Sequence, residues 1–183
     1  MEFDSNWQER YAAMVRSPQK ALKEIRSGQR VFIGTGCGEP TELVKALTAR
    51  AGELSDVEII QLFTKGDASY ARKKYADCFR LNSFFIGQNV RDMIQEGLGS
   101  YTPIFLSNIP HLFNTGLLPL DVALIQTTPP NRHGKVSLGI SVDIVKSAVE
   151  NASLIIAQVN PQMPWTLGDS VIDIYDIDIL VPA

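Results

Sequence analysis

Two short runs in this chain, Val122-Ala123-Leu124-Ile125 and Leu154-Ile155-Ile156-Ala157, are apolar at every position. A strand with one wet face alternates apolar and polar residues, so an unbroken apolar run reads as a strand covered on both faces. Such strands belong to the interior of a parallel sheet. The surrounding pattern agrees: apolar blocks at 30–33, 57–63, 79–86, 104–106, 122–127 and 154–159 read as strands, separated by helical stretches at 40–51, 69–76 (the weaker), 90–96, 109–113 and 142–151. Strand and helix in repeated alternation predict an α/β fold, an open, mainly parallel sheet flanked by helices on both faces.

The length of 183 residues suits a single domain, 1–183, with one core. Within it, residues 1–28 are expected to supply N-terminal helices at 7–15 and 18–26 packed on the sheet. Ser17 stands as N-cap of the second, Pro18 at its first helical position, and Gly28 ends it. Residues 170–183 alternate apolar and acidic side chains, which predicts an edge strand or a linker toward a further, C-terminal domain. Ile172, Ile174, Ile177 and Ile179 need a surface to cover them.

Charge narrows the function classes. A net charge of −3 gives no field for gripping a phosphodiester backbone, so no nucleic-acid partner is expected. Cys37, Cys78, His111 and His133 fall in no paired metal-ligand spacing, which predicts no metal and a reducing, cytoplasmic setting. The first residues lack an apolar leader, and no apolar run approaches the roughly 20 residues of a membrane span. A membrane partner is not expected either.

Residues with chemical potential fall in four places. The first is Val31-Phe32-Ile33-Gly34-Thr35-Gly36-Cys37-Gly38-Glu39-Pro40, a strand passing through three glycines into a helix. Glycines let backbone N–H groups converge on an anion or a carbonyl oxygen, and Gly36 and Gly38 are the candidates. A dinucleotide fingerprint would need glycine where Glu39 stands, and that carboxylate would repel a pyrophosphate. A tight turn without a ligand is the other reading. Cys37 reads as a small turn residue, with no base beside it in sequence.

The second place is Gly87-Gln88-Asn89-Val90-Arg91, where Asn89 reads as a helix cap and Arg91, misplaced for the helix dipole, as a partner for a carboxylate or phosphate. The third is the polar stretch from Thr127 to Asp143, with His133, at the carboxyl edge where open α/β sheets bind ligands. In the fourth, Gln158 and Asn160 end a buried strand at that edge. Their amides either orient a carbonyl or carboxylate or satisfy the loop backbone.

In this order the motifs resemble the N-terminal half of the acetyl-CoA hydrolase/transferase family. The resemblance runs from Trp7-Gln8-Glu9-Arg10-Tyr11 to about Asp178. It is carried by the Gly-x-Gly-x-Gly-Glu-Pro turn at 34–40, Gly87-x-Asn89-x-Arg91, Tyr101-x-Pro103 and Pro130-x-x-His133-Gly134. Ser137-Leu138-Gly139, Ser141-x-Asp143, Ala157-Gln158-Val159-Asn160-Pro161, Met163-Pro164 and Gly168-Asp169-Ser170 complete it.

The resemblance implies two similar α/β halves with the active site between them. Coenzyme A or acyl-CoA and small carboxylates would be the substrates. CoA would pass between a short acyl or 4-hydroxyacyl thioester and a carboxylate such as acetate, through a glutamyl-CoA intermediate. The nucleophilic glutamate belongs to the C-terminal half, so no residue here is assigned as catalytic. Gly36, Gly38, Asn89, Arg91, His133, Gln158 and Asn160 are assigned as orienting or substrate-binding. The implied partners are the C-terminal domain or a partner subunit, and a homo-oligomer of the full enzyme. The alternatives are an acetyl-CoA hydrolase of the same family and a sugar-phosphate or effector-binding module of similar, sugar-phosphate-isomerase-like fold.

Overall fold

The computed structural model describes residues 2–183. Nine strands occur among them: β1 (Arg30–Ile33), β2 (Val57–Gln61), β3 (Phe79–Ser83), β4 (Gly99–Tyr101), β5 (Leu120–Thr127), β6 (Lys135–Ser137), β7 (Ala152–Val159), β8 (Val171–Asp173) and β9 (Ile179–Pro182). The helices are α1 (Trp7–Arg10), α2 (Pro18–Ala21), α3 (Thr41–Ala49), α4 (Arg91–Gln95), α5 (Ile109–Asn114) and α6 (Val145–Asn151). Seven strands form one sheet in the order β4-β3-β2-β1-β5-β7-β9. Every pairing in it is parallel.

The strand pleat sorts the apolar blocks into two cores, because successive side chains leave opposite faces. Val31, Ile33, Ile59, Val122, Leu124 and Ile156 pack with Leu43 and Leu47 of α3. Phe32, Ile60, Ala123, Ile125 and Ala157 pack with Phe113 of α5 and Val145 and Ala148 of α6. Both faces are dry, which is why β5 and β7 read as unbroken apolar runs. Phe32 meets Phe113 edge-on, with centroids 6.0 Å apart.

The sheet is built outward in two directions. From β1 the chain proceeds through β2, β3 and β4 to one edge, then returns to lay β5 on the other side of β1. The connections therefore diverge between β1 and β5, leaving a crevice outside their carboxyl ends.

Several local expectations are corrected. Residues 104–106 are not a strand; the edge position is taken by β4, Gly99–Tyr101, whose pairing with Ser83 and its neighbours on β3 fixes its register. The helix expected at 69–76 shrinks to the single turn Lys73–Tyr75. The helix expected at 7–15 is only Trp7–Arg10, and the one at 18–26 becomes α2 followed by a tighter turn, Leu22–Glu24. The stretch from Thr127 to Asp143 is not loop alone, since it contains β6, paired antiparallel with β8.

Ile172, Ile174, Ile177 and Ile179 are all buried inside this chain. β9 closes the sheet edge beside β7, and Ala183 donates to the Val159 carbonyl, so the last residues leave the sheet at its carboxyl edge. Apolar surface lies bare elsewhere. Phe85, Tyr101, Phe105 and Leu106, at and beyond the carboxyl ends of β3 and β4, are all exposed. Among the described residues no helix is long and apolar enough to cross a membrane.

Candidate functional site at the carboxyl edge of the sheet

β1 delivers the glycine turn to the crevice, and neighbouring loops close around it. Gly36 forms a parallel bridge with Thr64, its N–H donating to the Phe63 carbonyl at 2.7 Å. The Gly38 N–H donates to Thr35 O at 2.9 Å. Both N–H groups expected to face a ligand are thus spent inside the protein. What these glycines contribute is the absence of a side chain: a Cβ on Gly38 would stand 2.8 Å from Ser141 Cβ, and one on Gly36 would stand 3.2 Å from Ser141 Oγ. The segment before α6 packs directly on the turn. Thr35 strengthens that contact, its hydroxyl donating to the Asp143 carboxylate at 2.5 Å.

On one side of the turn lies a row of glutamines. Gln158 accepts from the Glu42 N–H at 2.9 Å in the first turn of α3, satisfying one of the donors a helix leaves unpaired there. Gln126, its register partner on β5, donates to Glu39 O at 3.1 Å and accepts from Asn160 Nδ2 at 2.7 Å. Asn160 Oδ1 in turn accepts from the Gln162 N–H at 2.8 Å. These amides tie β5, β7 and the start of α3 together. Their role as loop braces is the one the hydrogen bonds describe.

On the other side is a buried polar chain. The Glu39 carboxylate, 4% exposed, accepts from the Gly66 N–H at 2.6 Å. The Tyr70 hydroxyl donates to Gln61 Oε1, Gln61 Nε2 to Ser83 Oγ at 3.1 Å, and that hydroxyl to Phe85 O at 2.7 Å. Asn89 joins from the next loop: its Nδ2 lies 2.9 Å from Thr64 Oγ1, 3.0 Å from Gly66 O and 3.3 Å from Thr64 O. The expected cap role is overturned, because Val90 occupies the N-cap position of α4 with no side-chain cap bond. Asn89 instead holds the loop after β2.

Burial pushes the Glu39 carboxyl above the usual carboxylate range, against the Gly66 amide and Thr64 hydroxyl that favour its ionised form, with Asp67 adding repulsion. Burial likewise pushes the Tyr70 phenol up, and the Glu39 charge adds to the effect. A raised folded-state pKa means the folded chain holds the proton more tightly than the unfolded one. Glu39 therefore contributes stability at low pH that is lost as pH rises through its raised pKa. Unfolding by denaturant in steps between roughly pH 4 and 8 checks this. Glu39→Gln is expected to lose less stability with rising pH than the parent chain. Parallel curves would contradict the assignment.

The structure brings Gly36, Gly38, Asn89, Gln158 and Asn160 to one edge, in two hydrogen-bonded groups that meet at Glu39. Arg91 opens α4 from the exposed surface and is in no ion pair among the described residues. His133 stands outside the cluster. It is exposed on a turn whose Asn131 Oδ1 accepts from the His133 and Lys135 N–H groups, and this turn packs on the N-terminal segment through the Phe3–Asn131 bridge and the Arg132–Glu2 ion pair. Among the described residues no group of three or more His, Cys, Asp or Glu side chains is placed to hold a metal ion.

Comparison with known proteins places the chain in a family. The chain is 40% identical over 177 residues to a 4-hydroxybutyrate coenzyme A transferase of Clostridium kluyveri, covering 97% of this chain and 41% of that protein. It is 42% identical over 158 residues to a succinyl-CoA:acetate/propanoyl-CoA:succinate CoA transferase of Fasciola hepatica, covering 85% of this chain and 33% of that protein. A solved 4-hydroxybutyrate CoA-transferase from Porphyromonas gingivalis superimposes with a TM-score of 0.80 at 26% identity, over 97% of this chain and 41% of that one. The chain thus spans less than half the length of these relatives. Residues 2–182 match the acetyl-CoA hydrolase/transferase N-terminal domain, and the chain belongs to that family.

Proposed function

We propose that this chain forms one wall of the active cleft of a CoA-transferase, which moves CoA between a short acyl or 4-hydroxyacyl thioester and a carboxylate such as acetate. The observation that carries the reading is the divergence of connections between β1 and β5, which sets the glycine turn and its braces at a ligand-binding edge. The relatives named above are CoA transferases of more than twice this length.

In this reading a glutamate of the C-terminal half attacks the thioester and expels CoA thiolate, giving an acyl-glutamyl anhydride; the thiolate then attacks the glutamyl carbonyl, releasing the acyl group as a carboxylate and leaving glutamyl-CoA. Glu39 is unsuited to such an attack, being buried, engaged by Gly66 and costly to ionise. This half contributes rigidity. A braced turn keeps the reacting carbonyl and carboxylate in line, and alignment of that kind is worth several kcal/mol of barrier.

The test supplies the full-length protein carrying this chain with butyryl-CoA, with and without acetate, and follows acetyl-CoA and free thiol separately. The expected result is acetyl-CoA formed in step with butyryl-CoA consumed, and no net thiol. Thiol release independent of acetate would mean a hydrolase instead.

A further inference from the structure

Beyond the ends of β2 and β3 runs an apolar groove of about 480 Å³, lined among others by Leu62, Phe63, Phe84, Phe85, Ile104 and Phe105. Phe85 is 56% exposed and Phe105 78% exposed, a large bare apolar area at the very edge where the glycine turn lies. The groove does not end in apolar surface. Phe63 is also a wall of an adjoining notch of about 300 Å³, lined otherwise by the polar residues Thr64, Lys65, Gln88 and Asn89. Phe63 and Phe85 meet edge-on with centroids 5.6 Å apart, so the ring that divides groove from notch is held in place.

Among the described residues Lys65 is the only cation lining the notch. It is exposed, lies 5.1 Å from the Phe63 ring centroid and is in no ion pair among the described residues. Its backbone, by contrast, is fixed on both sides. The Lys65 N–H donates to Gly36 O at 3.2 Å. Asn89 binds the carbonyls of Thr64 and Gly66, and Glu39 holds the Gly66 N–H. The buried network described above therefore roots an ammonium group that lies over the Phe63 ring, with no carboxylate paired to it among the described residues, at the junction of the apolar trough and the notch. An anion with a short apolar tail matches that arrangement in shape and in charge.

We propose that the groove is the acyl-chain subsite of the cleft and that Lys65 reads a carboxylate at the far end of the chain, selecting short ω-carboxyacyl thioesters over alkyl ones. This rests on the transferase reading. The methylenes would lie against Phe63 and Phe85, while the terminal carboxylate would pair with Lys65 in the notch that Gln88 also lines. No other charge is needed. Lys65 acts through substrate binding, so its removal raises KM for the acidic substrate and leaves kcat with other thioesters intact.

The experiment compares succinyl-CoA with butyryl-CoA, equal in carbon count, as donors to acetate in the full-length protein. Lys65→Met is expected to lower kcat/KM for succinyl-CoA by about 10-fold, the scale of a charged hydrogen bond in a half-desolvated site, and to leave butyryl-CoA within about 2-fold. Lys65→Arg is expected to recover most of the loss. Equal losses for both donors, or no loss for either, would overturn the proposal while leaving the transferase reading intact. Failure of the parent protein to transfer CoA from any thioester would overturn the reading, and the proposal with it.

Discussion

Gly139→Ala is expected to destabilise the folded chain by about 3 kcal/mol, combining the cost of a side chain in left-handed backbone with overpacking. Gly139 has φ +64°, and a Cβ there would overlap Met163 Sδ and Cγ and stand 3.3 Å from Pro164 O. Met163 is itself buried, so it has little room to retreat. The Thr166 hydroxyl donates to Gly139 O at 2.8 Å, and Ser137 Oγ accepts the Gly139 N–H at 3.1 Å, so the backbone cannot relax without losing bonds on both sides. Equilibrium unfolding in urea measures the effect. A loss below about 1 kcal/mol would mean that the loop before Ser141 is softer than its packing implies.

Gly38→Ala is expected to act on chemistry as well as on folding. The new methyl would press on Ser141 Cβ at 2.8 Å and on Thr35 O at 3.2 Å, and one of the two segments must shift. If the turn moves by even a fraction of an ångström, the reacting groups in the cleft lose alignment. A displacement near 1 Å costs on the order of 100-fold in rate. Transfer by the full-length protein is therefore expected to fall by about 10- to 100-fold, with a stability loss of about 1–3 kcal/mol. Gly38→Ala combined with Ser141→Gly removes the clashing Cβ and is expected to recover much of the rate. No recovery would locate the damage in the Thr35 contact or outside the turn.

Much of this fold is legible in the sequence because its strands are dry on both faces. Val122 to Ile125 and Leu154 to Ala157 announce their position by composition alone, and the glycine turn follows its strand without interruption. The same strands hold a further regularity: Gln61, Gln126 and Gln158 each lie at or near the carboxyl end of an apolar run, on β2, β5 and β7. A polar residue at that place in three interior strands signals a layer of side-chain amides at the carboxyl edge. Gln158 stands out in the sequence for the motif around it, whereas Gln61 and Gln126 gain their meaning only beside it in the folded sheet.

What the sequence hides is long-range. Asn89 meets Thr64 and Gly66 across 25 and 23 residues, and Glu39 meets Gly66 across 27, so their roles as braces depend on packing that no local pattern encodes. Asn89 beside a helix start resembles a cap for sound local reasons, and tertiary bonds claim its amide instead. The β6–β8 ribbon is hidden for the same reason, since Lys135 pairs with Asp173 from the far end of the chain. The apolar residues at 172–179 call for a cover, and they find it within the domain. Apolar surface left uncovered includes the Phe85–Phe105 groove.

Residues 1–183 on their own, given butyryl-CoA and acetate, decide whether this half carries an attacking group. A chain that supplies only a braced wall stays folded and forms no acetyl-CoA above background. Acetyl-CoA made at a rate proportional to the amount of this chain would mean that the nucleophile lies within it.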